Sequence, residues 1–302
     1  MEGQPYPAGV GGPILAGRGI NQLRFRQSEV LLGEGCRLID ETGRTPIGGG
    51  LFLLTAQVTR AAHTFEAVLA ACRLGRGVQA SMMNRALFED LLDIHWVAAN
   101  LESAPERADQ HDRLTALAEH DLESSFARTE RPLTDEERAE LDDLIELYGG
   151  RRRAFKESWT RTSYPDRLSL VQSRWEDEPD ARHVIEVIYE VIQRQNNLLL
   201  HSSPSGFRQT ITSGPDGRRQ LNRAGPDGRW REALMHGAGA YYMSGRVLAQ
   251  VIGFDKEDMA EAFNQTTNFL RAASEFDGID QLQPDVECPC GSALAVSGCH
   301  LS

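Results

Sequence analysis

The sequence predicts a mainly α protein, a helical bundle with a small β-hairpin insertion and a C-terminal zinc knuckle. Apolar residues recur at intervals of three and four through most of the chain, as they do on the buried faces of helices. One stretch, about residues 207–230, breaks this rhythm with turn-forming residues. We expect a disordered Gly/Pro-rich N-terminus at residues 1–13, a helical domain at 14–276, a linker at 277–287 and a separate tail at 288–302.

Three helices are predicted in the first third of the chain. The first is expected from about Ile14 to Asp40, before a triple-glycine break. The second, about Leu51 to Leu74, has a single apolar stripe. That stripe consists of Leu51, Leu54, Val58, Ala61, Phe65 and Val68. The third, about Gln79 to Leu101, is apolar over a wide face, which indicates a central position in the bundle.

Capping and turn residues mark the later helices. A polar passage containing Pro105 should separate the third helix from a short one near Leu114 to Phe126. Thr134 and Glu137 form the pattern of a capping box, which starts a helix ending at Gly149-Gly150. Further helices are predicted at about Arg152–Trp159, Pro165–Trp175, Pro179–His201, Trp230–Ile252 and Lys256–Phe276.

The break in the helical pattern contains a repeated turn sequence. Gly-Pro-Asp-Gly-Arg occurs at 214–218 and again at 225–229. Pro-Asp-Gly favours tight turns. Two copies so close together indicate a β-hairpin or meander inserted between helices.

Charge and composition exclude several classes of protein. The 302 residues have a formal net charge of −12, which argues against a duplex DNA-binding protein. No apolar run is long enough to span a membrane, and the N-terminus lacks the pattern of a signal peptide, so a cytosolic protein is expected. Cys36 and Cys72 are expected to be small buried side chains, and Arg151-Arg152-Arg153 to be an exposed helix start.

The tail has the residues of a zinc site. Cys288 and Cys290 flank one proline, and Cys299 and His300 follow after a short loop. Structural zinc takes four thiolate or imidazole ligands in a tetrahedron. The spacing therefore predicts a zinc knuckle that binds Zn²⁺ through these four side chains, and so small a unit would fold mainly through its metal.

This tail resembles the SEC-C motif at the C-terminus of the protein-export ATPase SecA and of many bacterial proteins. The resemblance covers residues 287–301 and includes Pro289 and Gly291-Ser292 as well as the four ligand positions. It implies the same four zinc ligands. The loop at 293–298 departs from the motif because it is apolar and has no cation. This loop favours packing on a protein surface over binding to nucleic acid or lipid.

The helical part resembles a bacterial helical family known only as a domain of unknown function, often joined to a SEC-C tail. The resemblance rests on Leu87–Leu91 with His95-Trp96, on Tyr189 and on Leu200–Pro204, and it spans about residues 50–275. It implies a helical fold and no particular activity.

Two helix faces could form a polar pocket. Arg85, Glu89 and Asp93 recur every four residues on the third helix, and Gln193, Asn197 and His201 do so on a later one. Where such faces meet, they form either a salt-bridged seam between helices or a functional pocket.

Arg194, Asn197 and His201 are the candidate catalytic residues of the alternative interpretation. Their arrangement is similar to that of HEPN-type ribonucleases, in which His acts as acid or base and Arg stabilises the phosphate, often in a dimer cleft. Arg113/His120 and Arg231/His236 have comparable spacing, and chance predicts about as many matches as these. The position of His201 at a helix end, before Ser-Ser-Pro, is what distinguishes it.

A second metal site is a weaker interpretation of the polar residues. Asp109, His111 and Asp112 have side chains that ligate metals, and so does His95. Clusters of this kind more often lie in solvated loops.

The sequence therefore favours a cytosolic, non-enzymatic interaction protein with a protein partner. Its alternative is a HEPN-like, metal-independent ribonuclease of a defence or toxin system, with RNA as substrate and a homodimer forming the cleft. Neither interpretation requires a membrane span.

Overall fold

The computed structural model describes residues 20–43, 48–126, 131–154, 158–190, 192, 211–213, 218–221 and 229–254. These residues are mainly helical. The helices are α1 Ile20–Gly43, α2 Gly49–Arg73, α3 Gly77–Ala99, α4 Ala104–Ser125, α5 Asp135–Leu147, α6 Arg151–Ala154, α7 Tyr164–Arg174, α8 Pro179–Tyr189 and α9 Arg229–Ile252.

Two predicted helix bounds were wrong. The passage around Pro105 is the beginning of α4, because proline fits the first turn of a helix, where its missing N–H is not needed. The helix predicted to reach Trp159 is described only as the short α6, and residues 158–160 form a turn instead. The capping box is confirmed: Thr134 N donates to a Glu137 carboxylate oxygen at 2.9 Å, and Glu137 N donates to Thr134 Oγ1 at 3.2 Å.

Several predicted segments lie outside the described residues. These are the Gly/Pro-rich N-terminus at 1–13, the helix predicted at Lys256–Phe276, the linker at 277–287 and the tail at 288–302. Most of the second half of the helix predicted at Pro179–His201 also lies outside them.

The chain divides into two compact units. Unit 1 comprises residues 1–46, 55–91 and 175–302, and unit 2 comprises residues 47–54 and 92–174. Both α2 and α3 contribute residues to each unit.

The core of unit 1 is rich in stacked aromatic rings. Phe25 of α1 stacks on Trp230 of α9 with ring centroids 5.4 Å apart, and Phe65 of α2 stacks on Tyr241 of α9 at 5.0 Å. The part of the predicted α2 stripe that belongs to this unit is confirmed, since Val58, Ala61, Phe65 and Val68 are fully buried. This core therefore joins α1, α2 and α9.

A glycine brings α1 close to α9. The hydroxyl of Tyr241 donates to the Leu32 carbonyl at 3.4 Å. A Cβ atom placed on Gly35 would overlap that hydroxyl group and lie 3.0 Å from the ring atom Cε1. Only glycine leaves room there for the tyrosine side chain in this position.

Unit 2 has a core between α4, α5 and α6. Its buried members are Leu114, Leu117, Leu133, Leu141, Tyr148 and Ala154. Gly50, in the first turn of α2, also belongs to unit 2 and approaches the Leu101 carbonyl group closely. Within unit 2, the members of the wide apolar face predicted on α3 are Leu92, Ile94, Trp96 and Val97, and all four are buried.

The structure describes two short strands, β1 Ile211–Ser213 and β2 Arg219–Leu221. They pair antiparallel, with Ile211 opposite Leu221. Most of the predicted insertion at 207–230, including most of the turn between the strands, lies outside the described residues.

Within the described parts of the chain, no helix is long and apolar enough to cross a membrane. Cys72 is buried, as expected, and burial raises the pKa of its thiol to about 12. Cys36 was expected to be buried, but it is exposed on α1. The three residues Arg151 to Arg153 are exposed at a helix start, as predicted.

Candidate functional site

Most of the residues predicted to carry chemistry lie outside the described residues. This is true of Arg194, Asn197 and His201, and of the four zinc ligands Cys288, Cys290, Cys299 and His300. Their roles stay predictions. The described residues of unit 2 contain a candidate site.

Asp93, on the polar face of α3, is the centre of a buried hydrogen-bond network. Its side chain is paired with the Arg167 guanidinium of α7, and the two side chains are 8% and 6% exposed. The Trp159 indole Nε1 donates to Asp93 Oδ2 at 2.8 Å, and the Ser158 hydroxyl donates to Asp93 Oδ1 at 3.5 Å. We call these four residues the Asp93 centre.

The Asp93 centre links separate segments of unit 2. Three different donors hold one carboxylate, which offsets the free energy that burial of the charge costs. The centre fixes the turn at 158–160 against α3 and α7. Arg85 and Glu89, the other members of the predicted polar face, are half-buried.

A second cluster lies where α4 meets this turn. Arg107 Nη1 donates to the Thr160 carbonyl at 2.7 Å, and Arg161 Nη2 donates to Gln110 Oε1 at 3.0 Å. Tyr148 lies beneath these groups. The Arg161 guanidinium is 5.3 Å from the centre of its ring, and the His111 ring is 5.9 Å from it. We call Arg107, Gln110, His111, Tyr148 and Arg161 the Tyr148 corner.

The electrostatics of the Tyr148 corner follow from partial burial. Desolvation lowers the pKa of His111, although the nearby carboxylates of Asp112 and Asp93 oppose the shift. Desolvation raises the pKa of the Tyr148 hydroxyl, against the effect of the two arginines. The imidazole is therefore neutral near pH 7, and the phenol keeps its proton.

Arg161 has an unusual backbone conformation. Its φ of +56° lies in the left-handed region. Among the residues that the structure describes, Arg161 is the one non-glycine residue with a positive φ. This conformation costs a non-glycine residue about 1–2 kcal/mol. Such strain is often found at ligand-binding positions, where the surrounding structure holds it in place.

The other two Arg/His pairs have structural contacts. Arg113 forms an ion pair with Glu140 of α5 at 2.6 Å, and His120 Nε2 makes a hydrogen bond with the Arg131 carbonyl at 2.8 Å. Arg231 lies over the ring of Trp230, and His236 is buried. The contacts of Arg113 and His120 join α4 to α5 and to the segment that precedes it.

His236 should make stability depend on pH. Burial lowers its pKa from 6.5 to about 4. Between these values the unfolded chain binds a proton that the folded chain does not. The free energy of unfolding is then fully present above pH 6.5 and falls by about 3 kcal/mol as the pH drops towards 4.

Urea unfolding at several pH values should show a steeper loss of stability at acid pH for the wild type than for His236→Gln. Equal slopes would contradict this, and His120→Gln serves as the control because His120 is only half-buried.

The described residues do not bring together the side chains of the predicted second metal site. Asp109, His111 and Asp112 lie on helix α4 and not in a loop, and His95 is fully buried. Among the residues described, no group of three or more His, Cys, Asp or Glu side chains could hold a metal ion.

Sequence reasoning missed the Tyr148 corner and the partners of Asp93. Arg107 and His111 are four residues apart on α4 and so share a face, which is a signal that the sequence contains. The other members come from the turn before α7 and the end of α5, and no periodic pattern connects them.

Comparison with known proteins places the chain in one family. No curated protein and no solved structure matches it. The model of a family of unknown function, DUF5677, matches residues 51–218, which is more than half of the chain and includes both the Asp93 centre and the Tyr148 corner. The chain is a member of the DUF5677 family.

Proposed function

We propose that the protein is a cytosolic, non-enzymatic interaction protein, with a helical part that binds a protein partner and a SEC-C-type zinc knuckle that assists docking. The observation that carries the first part is an exposed apolar pair at the end of α4. Leu122 is 57% exposed and Phe126 is 65% exposed, one helical turn apart. Exposed apolar side chains grouped in this way are typical of binding surfaces.

Arginines lie beside this apolar pair. Asp121 precedes Leu122 and attracts Arg138 at 3.5 Å and Arg151 at 4.0 Å. The two arginine side chains are 53% and 75% exposed, so they stay accessible. A protein segment with an apolar anchor and acidic neighbours would complement this surface.

Removing the apolar pair should weaken partner binding. Proteins captured from a host extract by the wild type should be depleted about tenfold or more with Leu122→Ser/Phe126→Ser. A tenfold loss of affinity corresponds to about 1.4 kcal/mol, and the loss of two apolar anchors should cost at least that much. Phe52→Ser is the matched control, because Phe52 is also 65% exposed. Equal capture by all three proteins would contradict the proposed surface.

The zinc knuckle is the second part of the proposal, and the sequence of the tail supports it. We expect one tightly bound zinc per chain by elemental analysis, and its loss in Cys288→Ser/Cys290→Ser. Cys36→Ser is the control, since Cys36 is an exposed thiol on α1. Finding no zinc in wild-type protein purified without chelator would overturn this part.

The alternative function is a HEPN-like ribonuclease that uses Arg194, Asn197 and His201. Its support is the position of His201 at a predicted helix end. Metal-independent cleavage of RNA that is lost in both His201→Ala and Arg194→Ala, with folding intact, would replace the interaction function with this one.

A further inference from the structure

We infer that the Tyr148 corner binds a phosphate group, either as free phosphate or carried by a nucleotide. Phosphate binding at this corner is independent of the proposed interaction function. Two guanidinium groups from different segments make hydrogen bonds at this corner: Arg107 of α4 donates to the Thr160 carbonyl, and Arg161 of the turn before α7 donates to the Gln110 side chain.

Both arginines keep donors for a ligand. A guanidinium has five N–H donors in a planar fork that matches the oxygens of phosphate. Arg161 uses Nη2 on Gln110, and its buried Nε has no hydrogen-bond acceptor among the residues that the structure describes. Arg107 uses Nη1 on the Thr160 carbonyl.

Aromatic rings hold the two guanidinium groups in position. Arg161 lies over Tyr148 at 5.3 Å, and Arg107 lies over Trp96 at 5.0 Å, measured to the ring centroids. Stacking fixes the plane of a guanidinium without using its N–H donors. The arginines are therefore pre-organised, which reduces the entropy lost on binding an anion.

Two arginines and two carboxylates lie at or next to the Tyr148 corner. Asp93 is already neutralised by its ion pair with Arg167. Arg161, Arg107 and the Asp112 carboxylate act on the Tyr148 hydroxyl, and the Glu106 carboxylate accepts a hydrogen bond from Gln110 Nε2 at 3.0 Å. The three polar residues that α4 contributes to the corner are half-buried and retain some solvent exposure, so a small anion can reach them. The neutral His111 ring can add an uncharged hydrogen-bond donor.

The strained backbone at Arg161 fits the same role. Arg161 combines a left-handed backbone conformation with a side chain that lies over the Tyr148 ring. Strained residues that the surrounding structure holds in place are common at ligand clamps. The half-buried Arg161 side chain fits this pattern.

The test is a titration of the full-length protein with inorganic phosphate and with AMP, followed by calorimetry and by the ring resonances of His111. We expect saturable binding, with a dissociation constant raised about tenfold or more in Arg161→Gln and in Arg107→Gln. Arg113→Gln is the matched control, because Arg113 lies on the same helix as Arg107 and pairs with Glu140.

The outcomes distinguish a phosphate ligand from a nucleotide ligand, and both from the absence of a binding site. Tighter binding of AMP than of phosphate would identify a nucleotide ligand, and equal binding would identify phosphate alone. Absence of binding to either, or binding unchanged in Arg161→Gln while circular dichroism shows a folded protein, would overturn the inference. Neither of these two results involves capture of a protein partner, so neither would affect the proposed interaction function.

Discussion

Gly50→Ala is expected to lower the stability of unit 2 by about 3 kcal/mol or more, at the upper end of the usual range for overpacking. A Cβ at this position would lie 2.9 Å from the Leu101 Cα and would overlap the carbonyl group of the same residue. These are backbone atoms, so relief requires the first turn of α2 to separate from the α3–α4 connection. Such a separation would disrupt the packing of two helices at once.

Gly48→Ala is the control for this substitution. Gly48 belongs to the same glycine triplet, and a Cβ placed there meets no atom within 4 Å. Urea unfolding followed by far-ultraviolet circular dichroism should show a much lower midpoint for Gly50→Ala and little change for Gly48→Ala. Similar midpoints for the two variants would mean that the close approach of Gly50 to Leu101 is wrong.

Asp93→Asn is expected to destabilise unit 2 by about 3–5 kcal/mol, the usual effect of breaking a buried ion pair. The substitution keeps the size of the side chain but removes the negative charge that faces the Arg167 guanidinium. It also weakens the hydrogen bond from the Trp159 indole, which is 2.8 Å long in the wild type. The fluorescence of Trp159 should therefore change along with the unfolding midpoint.

Asp109→Asn provides the comparison for Asp93→Asn. Asp109 is an exposed acid on α4, so its replacement should leave the unfolding midpoint nearly unchanged. If Asp93→Asn were as stable as Asp109→Asn, the ion pair would contribute nothing beyond what a neutral hydrogen-bonded amide provides.

Local patterns predicted much of the helical fold. The stripe on α2 and the apolar face of α3 follow from periodicity, which depends only on which residues are buried. The capping box at Thr134 and Glu137 was predictable because both partners lie within one turn. Pro105 misled the prediction, because proline ends a helix in its interior but starts one in the first turn.

The candidate site could not be predicted in the same way. Asp93 and Arg167 lie 74 positions apart, and Trp159 contacts Asp93 from a turn that the sequence pattern assigned to a helix. A charged residue on a helix face does not indicate whether its partner is solvent, a neighbouring helix or a distant turn. The Tyr148 corner depends in addition on the positive φ of Arg161, which no residue type at that position signals.

The contact between Gly35 and Tyr241 has a consequence for how the sequence can diverge. A relative that replaced Gly35 with alanine would place a methyl group against the tyrosine hydroxyl, whereas phenylalanine at 241 would remove that oxygen and ease the collision. Changes at the two positions should therefore be correlated in relatives that retain α1 and α9, and a substitution accepted at one of them would depend on the residue already present at the other.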